Sequence, residues 1–211
     1  MTRYIASLVV WLAILSVPAM ADVVYENGPD NDTVDAWTIN FGFAVSNTFT
    51  VVGGSTTISA FQFEAWLLPG DTLSSVELSI TSDELGGTTF FDEVVTGWSN
   101  DNCFTNVQGY TLCNEVASFN GPTLATGTYW VNLQNATVPN GDPVYWDENS
   151  GIGCHSPGCP SQASENELGT IPSESFTIYG SPAGSVPEPG GIVLFGSGIL
   201  SVFSMMRWKL R

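Results

Sequence analysis

The chain has 211 residues, 21 acidic and only four basic, for a formal net charge of −17 at pH 7. The cations are Arg3, Arg207, Lys209 and Arg211, so the span 22–185 holds no Lys or Arg, yet it carries every acidic residue except Glu188. Affinity for phosphate comes mainly from Lys and Arg, so this composition speaks against a nucleic-acid partner and leaves the span without a cationic clamp for an oxyanion.

Residues 1–21 read as a secretory signal peptide. Arg3 precedes an apolar run over 4–17, and the small residues Ala19 and Ala21 form an A-x-A cleavage site with Asp22 opening the mature chain. The run is short for a membrane span, which favours cleavage over anchoring. The body at 22–180 is long enough for one domain with its own core.

No long helical period appears in that body. Short runs rich in Thr, Val, Phe, Tyr and Trp are instead punctuated by Gly, Pro, Asn and Asp. They predict strands over 37–45, 48–52, 57–67, 76–81, 88–95, 109–118, 128–137, 144–146 and 175–179. In the third run Phe61, Phe63 and Ala65 share one face, and in the fourth Val76, Leu78 and Ile80 point inward. Turn signals fall at 68–71 and 84–87, a long loop is expected over 156–169, and 181–185 reads as a linker. The pattern predicts a mainly β fold, an antiparallel β-sandwich of jelly-roll-like type.

Cys103, Cys113, Cys154 and Cys159 all lie in the exported body, and an even count in an oxidising compartment predicts disulfides. Three pairings are possible, the most local being 103 with 113 and 154 with 159. A metal site on Cys154, His155 and Cys159 is the rival reading, but the spacing matches no zinc pattern. His155 is the only histidine, so any Ser-His or Cys-His mechanism would have to run through it. The chain is expected not to be an enzyme.

The segment 26–35 gathers Asp30, Asp32 and Asp35 with Asn27 and Asn31, hard oxygen ligands that could hold calcium. An Asx-rich turn explains the same residues without a cofactor. Of the five tryptophans in the body, Trp37, Trp66 and Trp130 fall in strand patterns and are expected to fill the core. Trp98 and Trp146 border polar loops, where core or loop packing is the leading reading and stacking on a glycan the alternative. Crowded carboxylates without cationic neighbours are expected to bind protons more tightly when folded, so that stability rises as pH falls.

The tail combines V-P-E-P (Val186, Pro187, Glu188, Pro189), an uncharged apolar run over 190–206 and the basic residues Arg207, Lys209 and Arg211. At ~1.5 Å per residue the run spans about 25 Å as a helix, the short end for a single transmembrane helix. The basic end is expected on the cytoplasmic side. Motif, apolar run and basic cluster in this order resemble the PEP-CTERM sorting signal of Gram-negative bacteria, also called the ice-binding-protein C-terminal domain. The resemblance covers residues 186–211. It implies recognition of residues 187–189 by an exosortase, a membrane-embedded processing enzyme, in bacteria that make exopolysaccharide. The runs 127–136 and 145–151 are similar to exported domains that precede such signals. Threonines occur only as isolated pairs such as Thr56 with Thr57, not as a flat ice-binding array.

The resulting expectation is an exported precursor, anchored by its tail until processing and then resident at the cell surface or in the extracellular, exopolysaccharide-associated matrix. Its β-sandwich would be non-catalytic. A carbohydrate-binding module is the alternative, and a secreted hydrolase a more distant one.

Overall fold

The computed structural model describes residues 21–30, 35–151 and 154–184. Ala19, Asp32, the sorting motif 186–189, the apolar run 190–206 and the basic tail therefore lie outside the described residues. Among those described there is no helix long and apolar enough to cross a membrane, and the secondary structure is entirely β.

Among the described residues fourteen strands form in chain order. They are β1 (Asp22–Glu26), β2 (Ala36–Thr38), β3 (Ala44–Val51), β4 (Thr56–Leu67), β5 (Ser75–Asp83), β6 (Gly86–Thr96) and β7 (Ser99–Thr105), then β8 (Thr111–Ser118), β9 (Thr123–Leu124), β10 (Gly127–Thr137), β11 (Tyr145–Asp147), β12 (Ala163–Glu165), β13 (Gly169–Ile171) and β14 (Phe176–Pro182). Every pairing is antiparallel, in two sheets of eight and six strands. The smaller sheet runs β13-β12-β3-β10-β5-β6. In the larger, β4 is the axis. Phe63 pairs with Phe176 on one side and Glu115 on the other, so β14 and β8 flank it. Past the end of β14, β11 takes over the same edge through Tyr145 to Trp66 and Trp146 to Ala65.

One core fills the space between the sheets, giving a β-sandwich-like body within the compact unit Ala21–Ala183. The larger sheet contributes Phe61, Phe63, Phe176 and Ile178; the smaller contributes Val45, Phe49, Leu78, Ile80, Val131 and Leu133. Alternation along each strand sets this, since successive side chains take opposite faces. Rings of Tyr25 and Phe49 meet across the layers at 6.4 Å between centroids.

Several local expectations are corrected. The run 37–45 is not one strand: Phe41 and Gly42 adopt φ of 58° and 93° and turn the chain between β2 and β3. Asn40 holds the turn, its carbonyl accepting from the Phe43 amide and its Nδ2 donating to the Asp142 carbonyl. The expected loop over 156–169 contains β12, which pairs with both β3 and β13. The strand β14 extends through Pro182, two residues into the expected linker. Trp66 and Trp130 are not in the core cluster: Trp130 lies on the outer side of the smaller sheet, alternating with Val131, and Trp66 alternates with Ala65.

A buried polar knot ties one end of the sandwich. Asn27, fully buried, donates from Nδ2 to the Glu174 carbonyl and the Ser173 hydroxyl, and accepts the Ser161 amide on Oδ1. Asn47, on the inner face of β3, accepts from Ser161 and Ser173 hydroxyls and from the Glu174 amide. Asn27 is hydrogen-bonded on both sides of its amide and Asn47 on its oxygen alone, its Nδ2 having no partner; together they fasten two loops to β1 and β3.

Candidate functional site

The structure forms the disulfides expected from the sequence and packs both candidate tryptophans in or against the core. Trp146 is fully buried, with its ring edge-on to Phe61, Phe63 and Phe176 and its Nε1 donating to the Ser175 carbonyl at 2.7 Å. It is a core residue and offers no face to a glycan. Trp98, half-buried, packs edge-on against Phe63 at 5.4 Å and donates to the Val95 carbonyl at 3.0 Å, so one side of its ring rests on the core. The reason is the period of two: in Y-W-D the tyrosine points out and the tryptophan in.

Cys103 bonds Cys113, and Cys154 bonds Cys159. The first bond clamps β7 to β8; the second closes the loop that carries the exposed His155. These are the most local of the three pairings the sequence allows, and the second takes up the thiols of the rival metal reading on Cys154, His155 and Cys159. Of the aspartates in 26–35, Asp30 bridges to Asn149 through the backbone, and Asp35 accepts the Ala36 amide on Oδ1. Among the described residues no group of three or more His, Cys, Asp or Glu side chains is arranged to hold a metal.

The outer side of the eight-stranded sheet carries the most developed surface. The alternation that sends Phe61, Phe63 and Ala65 inward turns Gln62, Glu64 and Trp66 outward. Register then lines up Tyr145, Trp66, Leu112 and Phe104 in one row across β11, β4, β8 and β7. Tyr110 closes over this row, its ring 5.5 Å from Trp66 and 5.6 Å from Tyr145. These rings border a hollow of about 250 Å³, with Asp35 and Gln108 on its rim. One pleat along β4, Gln62, Glu64 and Asn114 border a second hollow of about 120 Å³.

Each of these side chains is held in place. Trp66 donates from Nε1 to the buried Asp147 carboxylate at 2.7 Å. The rings of Tyr110 and Tyr145 pack edge-on, and burial followed by the neighbouring Tyr110 hydroxyl raises the Tyr145 hydroxyl above its usual range. The Asn106 side chain accepts the amides of Gln108 and Tyr110, which fixes the turn between β7 and β8. Gln62 donates to Asn114 at 2.9 Å and accepts the Tyr179 hydroxyl at 2.7 Å.

Among the described residues four carboxyls are raised, with no Lys or Arg over 22–185 to offset them. Glu174 is fully buried, and burial, then the charges of Glu148, Asp147 and Asp35, push it well above the carboxylate range. Burial raises Glu148 as well, its hydrogen bond from Trp37 pulling the other way. Glu115 faces inward opposite Phe63 and is pushed up to about 7 by burial. Asp142 is raised by lost solvation and then by Asp71. Proton affinity is raised as expected from composition, but burial is the leading cause and crowding the lesser one.

Comparison with protein-family models finds no match to the chain. Comparison with curated proteins finds none either. The fold thus defines a class, a disulfide-stabilised, acidic, β-sandwich-like domain.

Proposed function

We propose that the chain is an exported bacterial protein, sorted by an exosortase and delivered to the cell surface or an exopolysaccharide-containing matrix, with a non-catalytic sandwich of jelly-roll-like type as its body. The observation that carries this reading is the succession of V-P-E-P at 186–189, an uncharged apolar run over 190–206 and the cations Arg207, Lys209 and Arg211. The signal-peptide pattern at 1–21 points the same way. Two disulfides suit an oxidising compartment. Before processing, the apolar run holds the precursor in the membrane; afterwards an almost purely anionic domain remains. The exposed position of His155 within its disulfide loop supports the non-catalytic reading, because the chain has no other histidine for proton transfer.

Fractionation of the native host tests the sorting. Wild-type protein should appear at the surface or in the medium, and Glu188→Ala should hold the precursor in the membrane fraction. Equal distributions of the two would refute recognition of the motif.

The alternative, a carbohydrate-binding module, is favoured by one observation. The outer face of the larger sheet carries an ordered aromatic row beside hydrogen-bonding side chains, although not at Trp98 and Trp146.

A further inference from the structure

A solvent-facing side of an antiparallel sheet is ordinarily polar. Here the outer side of the eight-stranded sheet instead sets Tyr145, Trp66, Leu112 and Phe104 in register across four strands. At ~4.8 Å between strands, that row extends over about 14 Å. Trp66 and Leu112 are the floor, 5% and 0% exposed, while the half-buried Tyr110 and Tyr145 form the walls over Trp66 and Phe104 is 43% exposed at the far end. The neighbouring row on the same face holds Glu64, Asn114 and Asp101, displaced by one pleat, about 7 Å. Aromatic and hydrogen-bonding surfaces thus run side by side on one rigid element, and the hydrogen bonds of Asp147, Asn106 and Tyr179 fix them before any ligand arrives.

We propose that this face is a binding site for a neutral polysaccharide, laid across β11, β4 and β8. Sugar rings pack their C–H faces on Tyr110 and Tyr145, and their hydroxyls donate to Gln62 and exchange hydrogen bonds with Asn114, while Glu64, only 2% exposed, lies beneath that surface. The ligand's chemistry follows from the side chains. Carboxylates and amides match hydroxyls, and preformed aromatics match the apolar side of a sugar at little entropic cost. The absence of Lys and Arg over 22–185, within a chain of net charge −17, turns away anionic polymers. The assignment rests on the matrix-associated reading for the source of the polymer, but not on how the tail is processed.

Affinity electrophoresis of the full chain in mild detergent tests it, in gels containing dextran, galactomannan, β-1,3-glucan or the neutral fraction of polysaccharide extracted from the host, with alginate as the anionic comparison. At least one neutral polymer should retard the protein and alginate should not. Tyr110→Ala and the rim variant Gln108→Ala should each weaken retardation, the first at least tenfold, whereas Trp130→Ala on the other sheet should leave it unchanged. Thermal midpoints establish that each variant is folded. Unaltered migration in every neutral polymer, equal retardation by alginate, or full retardation of a folded Tyr110→Ala protein would overturn the proposal. None of those results bears on sorting, which the membrane-fraction experiment decides separately.

Discussion

Among single residues, the buried carboxylates govern how the molecule responds to pH. Burial pushes Glu115 up to about 7 when folded, against 4.5 for the free side chain, and holds Glu174 well above the carboxylate range. A raised carboxylate means that the folded state holds the extra proton between the two values. Stability is therefore fullest below about 4.5 and is lost as pH rises through about 7, with a magnitude of order 3 kcal/mol for Glu115 alone. The melting temperature should be higher at pH 5 than at pH 8, and Glu115→Gln should flatten the difference by stabilising the protein at the alkaline end. A midpoint that climbs from pH 5 to pH 8 would contradict this. The uncompensated charge was legible in the composition, because no Lys or Arg accompanies the acids. Which acids are buried was not. Glu115 looks like any strand-edge acid until its pairing with Phe63 turns it inward. The tryptophans teach the same lesson: flanking polarity pointed outward for Trp146, yet its position in the alternation, next to Tyr145, decides the face.

Among elements, β7 (Ser99–Thr105) depends on the disulfide more than any other strand. All seven of its residues are exposed, it pairs only with β8, and its register shifts between Asp101 and Phe104. Removing the bond with Cys103→Ser and Cys113→Ser frees a loop with a sequence separation of 10, at an entropic cost of about 2–3 kcal/mol. Amide hydrogen exchange in β7 should accelerate strongly while β10, between two partners, stays protected. Equal protection of β7 with and without the bond would show that its pairing stands unaided. Strands with clean alternation, such as β5, were legible from the sequence, as was the inward set of β4. β7, β12 and β13 were not, because S-N-D-N-C-F-T and the short A-S-E and G-T-I carry weak strand preference and are held by pairing and covalent linkage. The break between β2 and β3 was hidden by Phe41, an aromatic in the left-handed region, where bulky side chains are rare.

For the whole molecule, a mainly β body with antiparallel sheets follows from many short strands and turn residues, and composition carried that much. The outer-face site was half legible. The alternation that placed Phe61, Phe63 and Ala65 together also placed Gln62, Glu64 and Trp66 together, but the arrival of Tyr110 and Tyr145 over Trp66 depends on pairings far apart in the chain. Asp22, the expected first mature residue, opens β1 and pairs with Gly180, so cleavage after Ala21 would leave both ends of the sandwich sheet intact. The central claim, an exported precursor trimmed at both ends, is tested most directly by the intact mass of the protein recovered from cells and medium of a host with the processing enzyme. The account predicts a species that starts at Asp22 and ends near residues 187–189; a product still carrying Arg211 would contradict it.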